Sequence, residues 1–138
     1  MAGEDNKAIY RRFVEEVVNK GNFDVVDELY APDYIDHAAP PGAPVGLMGV
    51  KAIMGMFRTA FPDVHFTIVQ MVAEGDMVAT FVTGEGTNDG PFMGRPASGK
   101  KAKWNSTGFF VCKNGKITEH WGVPDLLAIL SQIGAIPH

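Results

Sequence analysis

The sequence is poor in the features that define several special classes of protein. It has one cysteine, Cys112, in 138 residues, which excludes a framework of internal disulfide bonds and fits a reducing compartment. Its 12 lysine and arginine residues face 16 aspartate and glutamate residues, for a net charge of −4. No basic excess therefore indicates a nucleic-acid partner or an anionic membrane surface.

Long apolar runs are also missing. The longest, such as 109–112 and 126–130, are far too short to span a bilayer, and residues 1–6 lack the cationic and apolar regions of a signal peptide. The length and the apolar share of 46% are those of one ordinary globular domain. We therefore expect a soluble, cytoplasmic protein with a single domain over residues 1–138.

The first half of the chain carries apolar residues at helical spacing. Ile9, Phe13 and Val17 lie on one face of a predicted amphipathic helix, and a similar stripe follows Val50. Proline and glycine cluster between these two segments, which is typical of a loop. The pattern predicts helices over 9–20, 22–30 and 50–61, a short strand over 34–37 and a loop over 38–49.

From His65 onward the apolar period changes to two, which is typical of strands. Helices followed by strands, without alternation, predict an α+β fold in which an antiparallel sheet packs on the N-terminal helices. Glycines inside the strands favour bends, so we expect a strongly curved sheet that forms a cone with a ligand pocket at its mouth. The predicted strands are 65–73, 77–87, 101–113 and 116–123, and the last helix is 125–132.

An ordered set of short motifs runs along the whole chain. With this set, over about residues 6–135, the sequence resembles the SnoaL-like polyketide cyclases. The matching residues are Asp36-His37, Phe61-Pro62-Asp63, Glu74-Gly75-Asp76, Gly86-Thr87, Gly90, Phe92, Gly94, Pro96, Ser98-Gly99-Lys100, Gly115-Lys116-Ile117, Glu119, Trp121 and Asp125-Leu126.

The resemblance implies the cone-shaped nuclear-transport-factor-2-like (cystatin-like) fold. It also implies intramolecular aldol cyclisation of a polyketide ester, without metal or cofactor, by an acid/base carboxylate and histidines that line the cone. The family motif on the last long strand is His-Trp-Asp, which here reads His120-Trp121-Gly122. Glycine therefore stands at the position of the family's acid/base, and Gly108 and Asn88 replace two further polar residues of the family pocket.

The hairpin at Asn114-Gly115 decides which side chains share a face. A two-residue loop would place His120 opposite Phe109, whereas a three-residue loop would place it opposite Gly108 and exchange the two faces. The resemblance favours the three-residue loop, which predicts a pocket face of Trp104, Ser106, Gly108, Phe110, Thr118, His120 and Gly122. The opposite face would then carry Asn105, Thr107, Phe109, Val111, Ile117, Glu119, Trp121 and Val123.

Three residues are candidates for the catalytic group. His120 can exchange protons near neutral pH as imidazoles do, or it can merely hydrogen-bond inside the sheet. His37 is either a donor at the pocket mouth or an anchor for the following loop. Asp125 can supply the carboxylate that Gly122 lacks, or it can cap the last helix. Asp36 beside His37 is expected to point the other way, as a surface or capping carboxylate.

An apolar wall is expected around these groups. Trp104, Ser106, Gly108, Gly122, Phe57, Phe61 and Met54 are the predicted ligand-binding residues, although ordinary core packing is the alternative for the large ones. The four histidines and one cysteine show no metal-ligand spacing, so we expect no metal.

Two functions remain open at this stage. The first is a cofactor-free enzyme of the polyketide cyclase, isomerase, dehydratase or hydrolase kind, acting on a hydrophobic carbonyl compound. The second is a non-catalytic module of the same fold that binds a small molecule or dimerises. The large amphipathic outer sheet face predicts a homodimer in either case.

Overall fold

The computed structural model describes residues 2–136 and has helices and strands in an order that confirms the α+β class. No helix of this range is long and apolar enough to cross a membrane. The elements are α1 (Ala2–Arg12), a π-helix (Phe13–Val18), a 3₁₀ turn (Phe23–Val25), α2 (Val26–Leu29), β1 (Tyr30–Asp36), α3 (Gly46–Ala60), β2 (His65–Glu74), β3 (Met77–Thr87), β4 (Lys101–Lys113), β5 (Lys116–Pro124) and α4 (Leu126–Gln132).

The five strands form one sheet in the order β1-β5-β4-β3-β2. Neighbours from β2 to β5 are antiparallel, as a meander requires, whereas β1 pairs with β5 in parallel. The register of that parallel pair places Asp36 directly beside His120. The parallel pairing thereby brings Asp36, from the helical half of the chain, next to β5.

The segment after α2 differs from the prediction. The sequence predicts a helix through Tyr30 that Pro32 ends, but α2 ends at Leu29 and β1 begins at Tyr30. Pro32 is tolerated inside β1 because an edge strand does not need every backbone N–H for pairing. Pairing with β5, which the local sequence does not encode, overrides the helical pattern at this point.

The helix α3 starts earlier than predicted, at Gly46 instead of Val50. Gly46 and Gly49 lie in its first turn. Because glycine is a poor helix former, the sequence pattern did not indicate a helix there. The predicted loop is therefore shorter, and α3 covers more of the sheet. The first predicted helix is continuous but changes from α to π geometry at Phe13.

The β4–β5 hairpin has neither of the two registers considered above. Asn114 and Gly115 both have positive φ angles, 55° and 77°, and form a two-residue turn that pairs Lys113 with Lys116. A bulge then shifts the register between Val111 and Cys112. The predicted three-residue loop is therefore wrong.

The bulge nevertheless restores most of the predicted inner face. His120 pairs with Phe110 instead of Gly108, and Gly122 pairs with Gly108 instead of Ser106, so even-numbered residues of both strands still share a face. Ile117 lies on the far side of the bulge and is fully buried in the core. The prediction that Ile117 lies on the outer face is therefore wrong.

Two hydrophobic clusters fill the space between the inner face and the helices. The first joins α1, the π-helix and β1 to the middle of the sheet, and includes Tyr10, Phe13, Tyr30, Tyr34 and Phe110. The second lies under α3 and α4. Its buried members are Phe57, Ala60, Phe61, Val64, Phe92, Ala102, Trp104, Ile129 and Ile133.

Candidate active site

An aspartate–histidine pair lies on the inner face where β1 meets β5. His120 Nδ1 and Asp36 Oδ1 are 3.1 Å apart, and their side chains are 21% and 16% exposed. The imidazole stacks on Phe110, with ring centroids 4.5 Å apart. The parallel strand register and this aromatic contact together hold the ring in one orientation. His120 therefore lies on the predicted face, close to solvent but mostly buried.

The carboxylate of Asp36 is held in its ionised form. Burial acts to raise the pKa of Asp36, but hydrogen bonds from His120 and from the Ala38 amide outweigh burial, so the pKa lies below its usual value. The Ala38 N–H donates to Asp36 Oδ1 over 2.9 Å. An ionised carboxylate accepts hydrogen bonds only, so His120 donates from Nδ1, and the lone pair of the neutral ring is then on Nε2.

The other edge of the imidazole lies over a strip of sheet without side chains. A Cβ atom added to Gly122 would come within 2.5 Å of His120 Nε2, and one added to Gly108 would come within 3.4 Å of the same atom. These two glycines pair with each other across β4 and β5. The absence of both side chains is what allows the ring to lie flat with Nε2 above the strip.

His37 lies on the opposite face of the sheet from His120. Its Nε2 is 2.8 Å from Glu119 Oε2, and its ring stacks on Trp121 with centroids 4.4 Å apart. β1 ends at Asp36, and His37 begins the turn that follows, where its side chain contacts the outer-face residues Glu119 and Trp121. His37 thus does not share a face with His120, whereas Asp36, which the sequence analysis expected to point away from the pocket, lies on the inner face against His120.

Asp125 is placed at the start of α4, where its carboxylate caps the helix. The Ala128 N–H donates to Asp125 Oδ1 over 3.0 Å. Among the hydrogen bonds of residues 2–136, none joins Asp125 to His120. The structure therefore shows the capping role that the sequence offered as the alternative.

The predicted apolar wall is part of a packed core. Phe57, Phe61 and Trp104 are buried in the second cluster, and Met54 packs against both clusters. Among the side-chain nitrogen and oxygen atoms of the described residues, the indole Nε1 of Trp104 is buried without a hydrogen-bond partner. The inner face is thus filled with side chains near Trp104, which is the core packing that the sequence analysis gave as the alternative for the large residues.

Two open grooves lie on other parts of the surface. One, of about 520 Å³, runs between Arg11, Glu15 and the edge strand β2. The other, of about 480 Å³, lies where β5 turns into α4, between Thr107, Val123 and Leu127. Of the predicted ligand-binding residues, Ser106 is the one that lines either of them.

The sequence analysis misplaced Asp36 and did not single out several buried polar side chains between the inner face and the helices. These are Tyr10, Tyr30, Tyr34 and Thr80. A signal was present for Tyr34 and Asp36, because they are two residues apart in a strand and share a face. Tyr10 followed the helical spacing and was indistinguishable from core.

Metal-ligand and thiol chemistry have little support in the part of the chain that the structure describes. No group of three or more histidine, cysteine, aspartate or glutamate side chains there could hold a metal ion. Burial raises the pKa of Cys112 to about 11, so the thiol is a packing group with little nucleophilic character.

Comparisons with a family model, with a curated protein and with solved structures agree with one another. The family model described as SnoaL-like polyketide cyclase matches residues 8–133. The chain is 26% identical over 118 residues to nogalonic acid methyl ester cyclase of Streptomyces nogalater, covering 84% of this chain and 88% of that protein. TsrD from Streptomyces laurentii has a TM-score of 0.88 at 26% identity, covering 96% and 97% of the two chains. Wild-type IdmH from Streptomyces antibioticus has a TM-score of 0.82 at 29% identity, covering 94% and 98%.

Proposed function

The chain belongs to the SnoaL-like polyketide cyclase family, and from that premise we propose that it closes a ring by acid/base catalysis at His120. The substrate would be a hydrophobic small molecule with more than one carbonyl group. The observation that carries this proposal is the Asp36–His120 pair, which presents Nε2 to the glycine strip of the inner face.

The proposed reaction needs no external reactant. His120 Nε2 removes a proton from a carbon next to a carbonyl group, and the electron pair of that C–H bond forms an enolate. The enolate carbon attacks a second carbonyl carbon of the same molecule, which makes the C–C bond that closes the ring. The electron pair of the attacked carbonyl moves to its oxygen, and this oxygen takes the proton back from the imidazolium.

Asp36 acts in this scheme as a positioning residue. Its carboxylate accepts the Nδ1 hydrogen bond, which fixes the tautomer with a free lone pair on Nε2. When the ring takes up a proton, the same carboxylate stabilises the imidazolium. Low exposure at both side chains strengthens this interaction, because less water screens it.

The position of His120 Nε2 supports the proposal that His120 performs the proton transfer that the family assigns to an aspartate. The resemblance implies an acid/base carboxylate at the position where this chain has Gly122. In this chain the atom closest to where a side chain at 122 would begin is His120 Nε2. The imidazole of His120 would thus act at the point of the inner face where the family has its carboxylate.

We infer that the substrate is an esterified polyketide, on the support of the family and of the relative named for nogalonic acid methyl ester. We also propose a homodimer through the outer sheet face and a cytoplasmic location. Exposed Phe109 and Trp121 support the dimer, and a single, buried cysteine fits a reducing compartment.

The first experiment compares variants of the two histidines with nogalonic acid methyl ester as the probe substrate. His120→Ala should lower kcat by about 10²–10⁴-fold, because a general acid/base contributes on that order. The matched control, His37→Ala, removes the same side chain from the opposite face and should keep most of the activity. Circular dichroism and urea unfolding would confirm that both variants are folded.

Asp36→Asn separates positioning from direct catalysis. Its kcat should fall by about 10–10³-fold, less than for His120→Ala, because the imidazole remains but loses its preferred tautomer. Nitrogen-15 NMR of the imidazole should show the Nδ1–H tautomer in the wild type and a mixture in the variant. Full activity in His120→Ala would refute the proposal, whatever His37→Ala does.

A further inference from the structure

The Asp36–His120 pair is mostly enclosed in the structure. Neither residue lines either of the two open grooves described above, and the two side chains are 16% and 21% exposed. The strands that carry the pair are held in the sheet, and Phe110, which stacks on the imidazole, is buried. A ligand of substrate size therefore needs another neighbouring segment to move before it reaches Nε2.

Residues 38–45, called the strap below, border the pair on the side where Nε2 lies. Because β1 and β5 are parallel, the chain leaves Asp36 in the direction in which β5 continues from His120 to Gly122. His120 Nε2 lies over Gly122. The strap therefore begins beside the imidazole and runs toward the position of Nε2.

The far end of the strap is joined to α3, in the helical layer that faces the sheet. α3 begins at Gly46, and Leu47 and Val50 pack in the first cluster together with Phe110, the residue that contacts the imidazole. The strap thus crosses from the sheet to α3 at one side of the space between them. A segment in this place can cover or uncover that side of the site.

The start of the strap is fixed to the pair itself. The His37 N–H donates to the His120 carbonyl oxygen over 2.8 Å, and the Ala38 N–H donates to Asp36 Oδ1 over 2.9 Å. The same carboxylate oxygen is 3.1 Å from His120 Nδ1. Movement is therefore confined to the residues after Ala38, and the pair keeps its geometry when they move.

The residues after Ala38 are held by few bonds. Among the loop hydrogen bonds of the described residues, one joins backbone groups within 39–44, from the Ala43 N–H to the Pro40 carbonyl oxygen. Residues 40, 41 and 44 are exposed prolines, which have no N–H to donate. Few hydrogen bonds and an exposed backbone are the features of segments that open locally at low cost.

Two glycines and one apolar side chain complete the strap. Gly42 and Gly46 have positive φ angles of 83° and 65°, and a Cβ added to either would meet no atom within 4 Å. They can therefore absorb changes of backbone angle as hinges do. Val45, between them, is 89% exposed, so its apolar side chain is free to cover a bound molecule.

Resting on the proposed function for the nature of the ligand, we propose that the strap is a lid, which opens to admit a hydrophobic small molecule to His120 Nε2 and closes with Val45 against the bound molecule. Closure excludes water from the proton transfer. Since the Asp36–His120 pair stays fixed, the lid governs access to the base and leaves the base itself unchanged.

Diethyl pyrocarbonate measures access to Nε2 without turnover. The reagent acylates neutral imidazole nitrogen, and peptide mass spectrometry gives a separate rate for each histidine. In the wild type, His120 should react about tenfold or more slowly than the exposed His65, because the reagent reaches it only in the open state. The double variant Pro40→Gly/Pro41→Gly should accelerate the reaction of His120 about fivefold and leave that of His65 unchanged, since glycine loosens the strap.

The matched control is Pro91→Gly/Pro96→Gly, which makes the same change at two exposed prolines of the connection between β3 and β4. Its His120 should react at the wild-type rate, and circular dichroism would confirm that both double variants are folded. Equal rates for His120 and His65 in the wild type would overturn the lid. So would a His120 rate that is the same in the wild type and the strap variant, or that rises equally in the control.

The kinetic test compares Val45→Ser with Val72→Ser on nogalonic acid methyl ester. Val45→Ser should raise KM about 5–10-fold, because closure then buries less apolar area, while kcat should change less than about threefold since the base is untouched. Val72 is the control, being 52% exposed on β2 at the opposite edge of the sheet from β1. The same KM in both variants would refute closure of Val45 over the substrate.

The lid and the proposed base fail in different ways. If His120→Ala is fully active while the strap variant accelerates labelling of His120, the base assignment fails and the lid stands. If His120→Ala is inactive while the labelling rate of His120 ignores the strap, the base stands and the lid fails.

Discussion

Gly122 determines how His120 lies on the sheet. With glycine at this position, the imidazole can fold along β5 and bring Nε2 over the strand. Any larger residue would place a carbon atom within 2.5 Å of that nitrogen, well inside van der Waals contact. The glycine that replaces the family's aspartate is therefore part of the geometry of the histidine.

Gly122→Ala should lower kcat by about 10²-fold, because a displacement of the base by about 1 Å has an effect of that order. Gly108→Ala is the matched control. Its Cβ would meet the Trp121 carbonyl oxygen, Phe110 and His120 Nε2 at 3.2–3.4 Å, so small movements can accommodate it and its effect should be smaller. Steady-state kinetics measure both variants.

The outcome that would contradict this interpretation is equal activity in Gly122→Ala and the wild type. Gly122→Asp makes the test stricter, since it installs the residue of the family motif. We expect no gain in activity from it while His120 is present, because the carboxylate and the imidazole would occupy the same space.

The connection between β3 and β4 is an element without regular structure that is nevertheless tightly held. Asn88 is fully buried; its Nδ2 donates to the carbonyl oxygens of Gly90 and Ala60, and its Oδ1 accepts hydrogen bonds from the Ser98 backbone N–H and hydroxyl. These bonds join the two ends of the connection and anchor it to the end of α3. Asn88, which replaces a polar residue implied for the family pocket, thus has a structural role here.

Asn88→Ala should lower the free energy of unfolding by about 2–4 kcal/mol, since it leaves several buried polar groups without partners. Urea unfolding measures this loss. Asn105→Ala is the control, because Asn105 is exposed and its amide makes one hydrogen bond, with Thr83. Equal stability of the two variants would show that the Asn88 bonds do not hold the connection.

The order of the main helices and strands follows from the sequence because period and turn residues are local properties. The errors fall where pairing partners are distant. The strand character of Tyr30 depends on Ile117 across the sheet, and the bulge near Cys112 depends on how β5 packs in the core. Neither partner lies within the window in which periodicity can be read.

At the scale of the whole molecule, the outer face of the sheet carries several large apolar side chains that the described helices leave exposed. Phe109 and Trp121 are 49% and 39% exposed at its centre, and Ile35, Phe81 and Val123 extend it over four strands. A surface of this kind favours association, because covering it removes apolar area from water. A second copy of the chain is the partner that we propose.

Phe109→Lys should convert the proposed dimer into a monomer, because it places a charge at the centre of the buried patch. Sedimentation velocity at several protein concentrations measures this change. Met48→Lys is the control, since Met48 is equally apolar and 67% exposed but belongs to α3 instead of the sheet. A wild-type protein that sediments as a monomer would refute the proposed dimer.

By itself, the sequence determined the α+β class, the order of the main elements and the family, and it offered His120 as a candidate, since each depends on residue type, spacing or motif order. Only the tertiary structure decided which groups surround that histidine. Asp36 of β1 and Phe110 of β4 meet His120 through parallel pairing and through the register of the bulged hairpin. A single-residue bulge can exchange the two faces of a strand, and its energy depends on the completed core, so the composition of the site could not be read from local pattern.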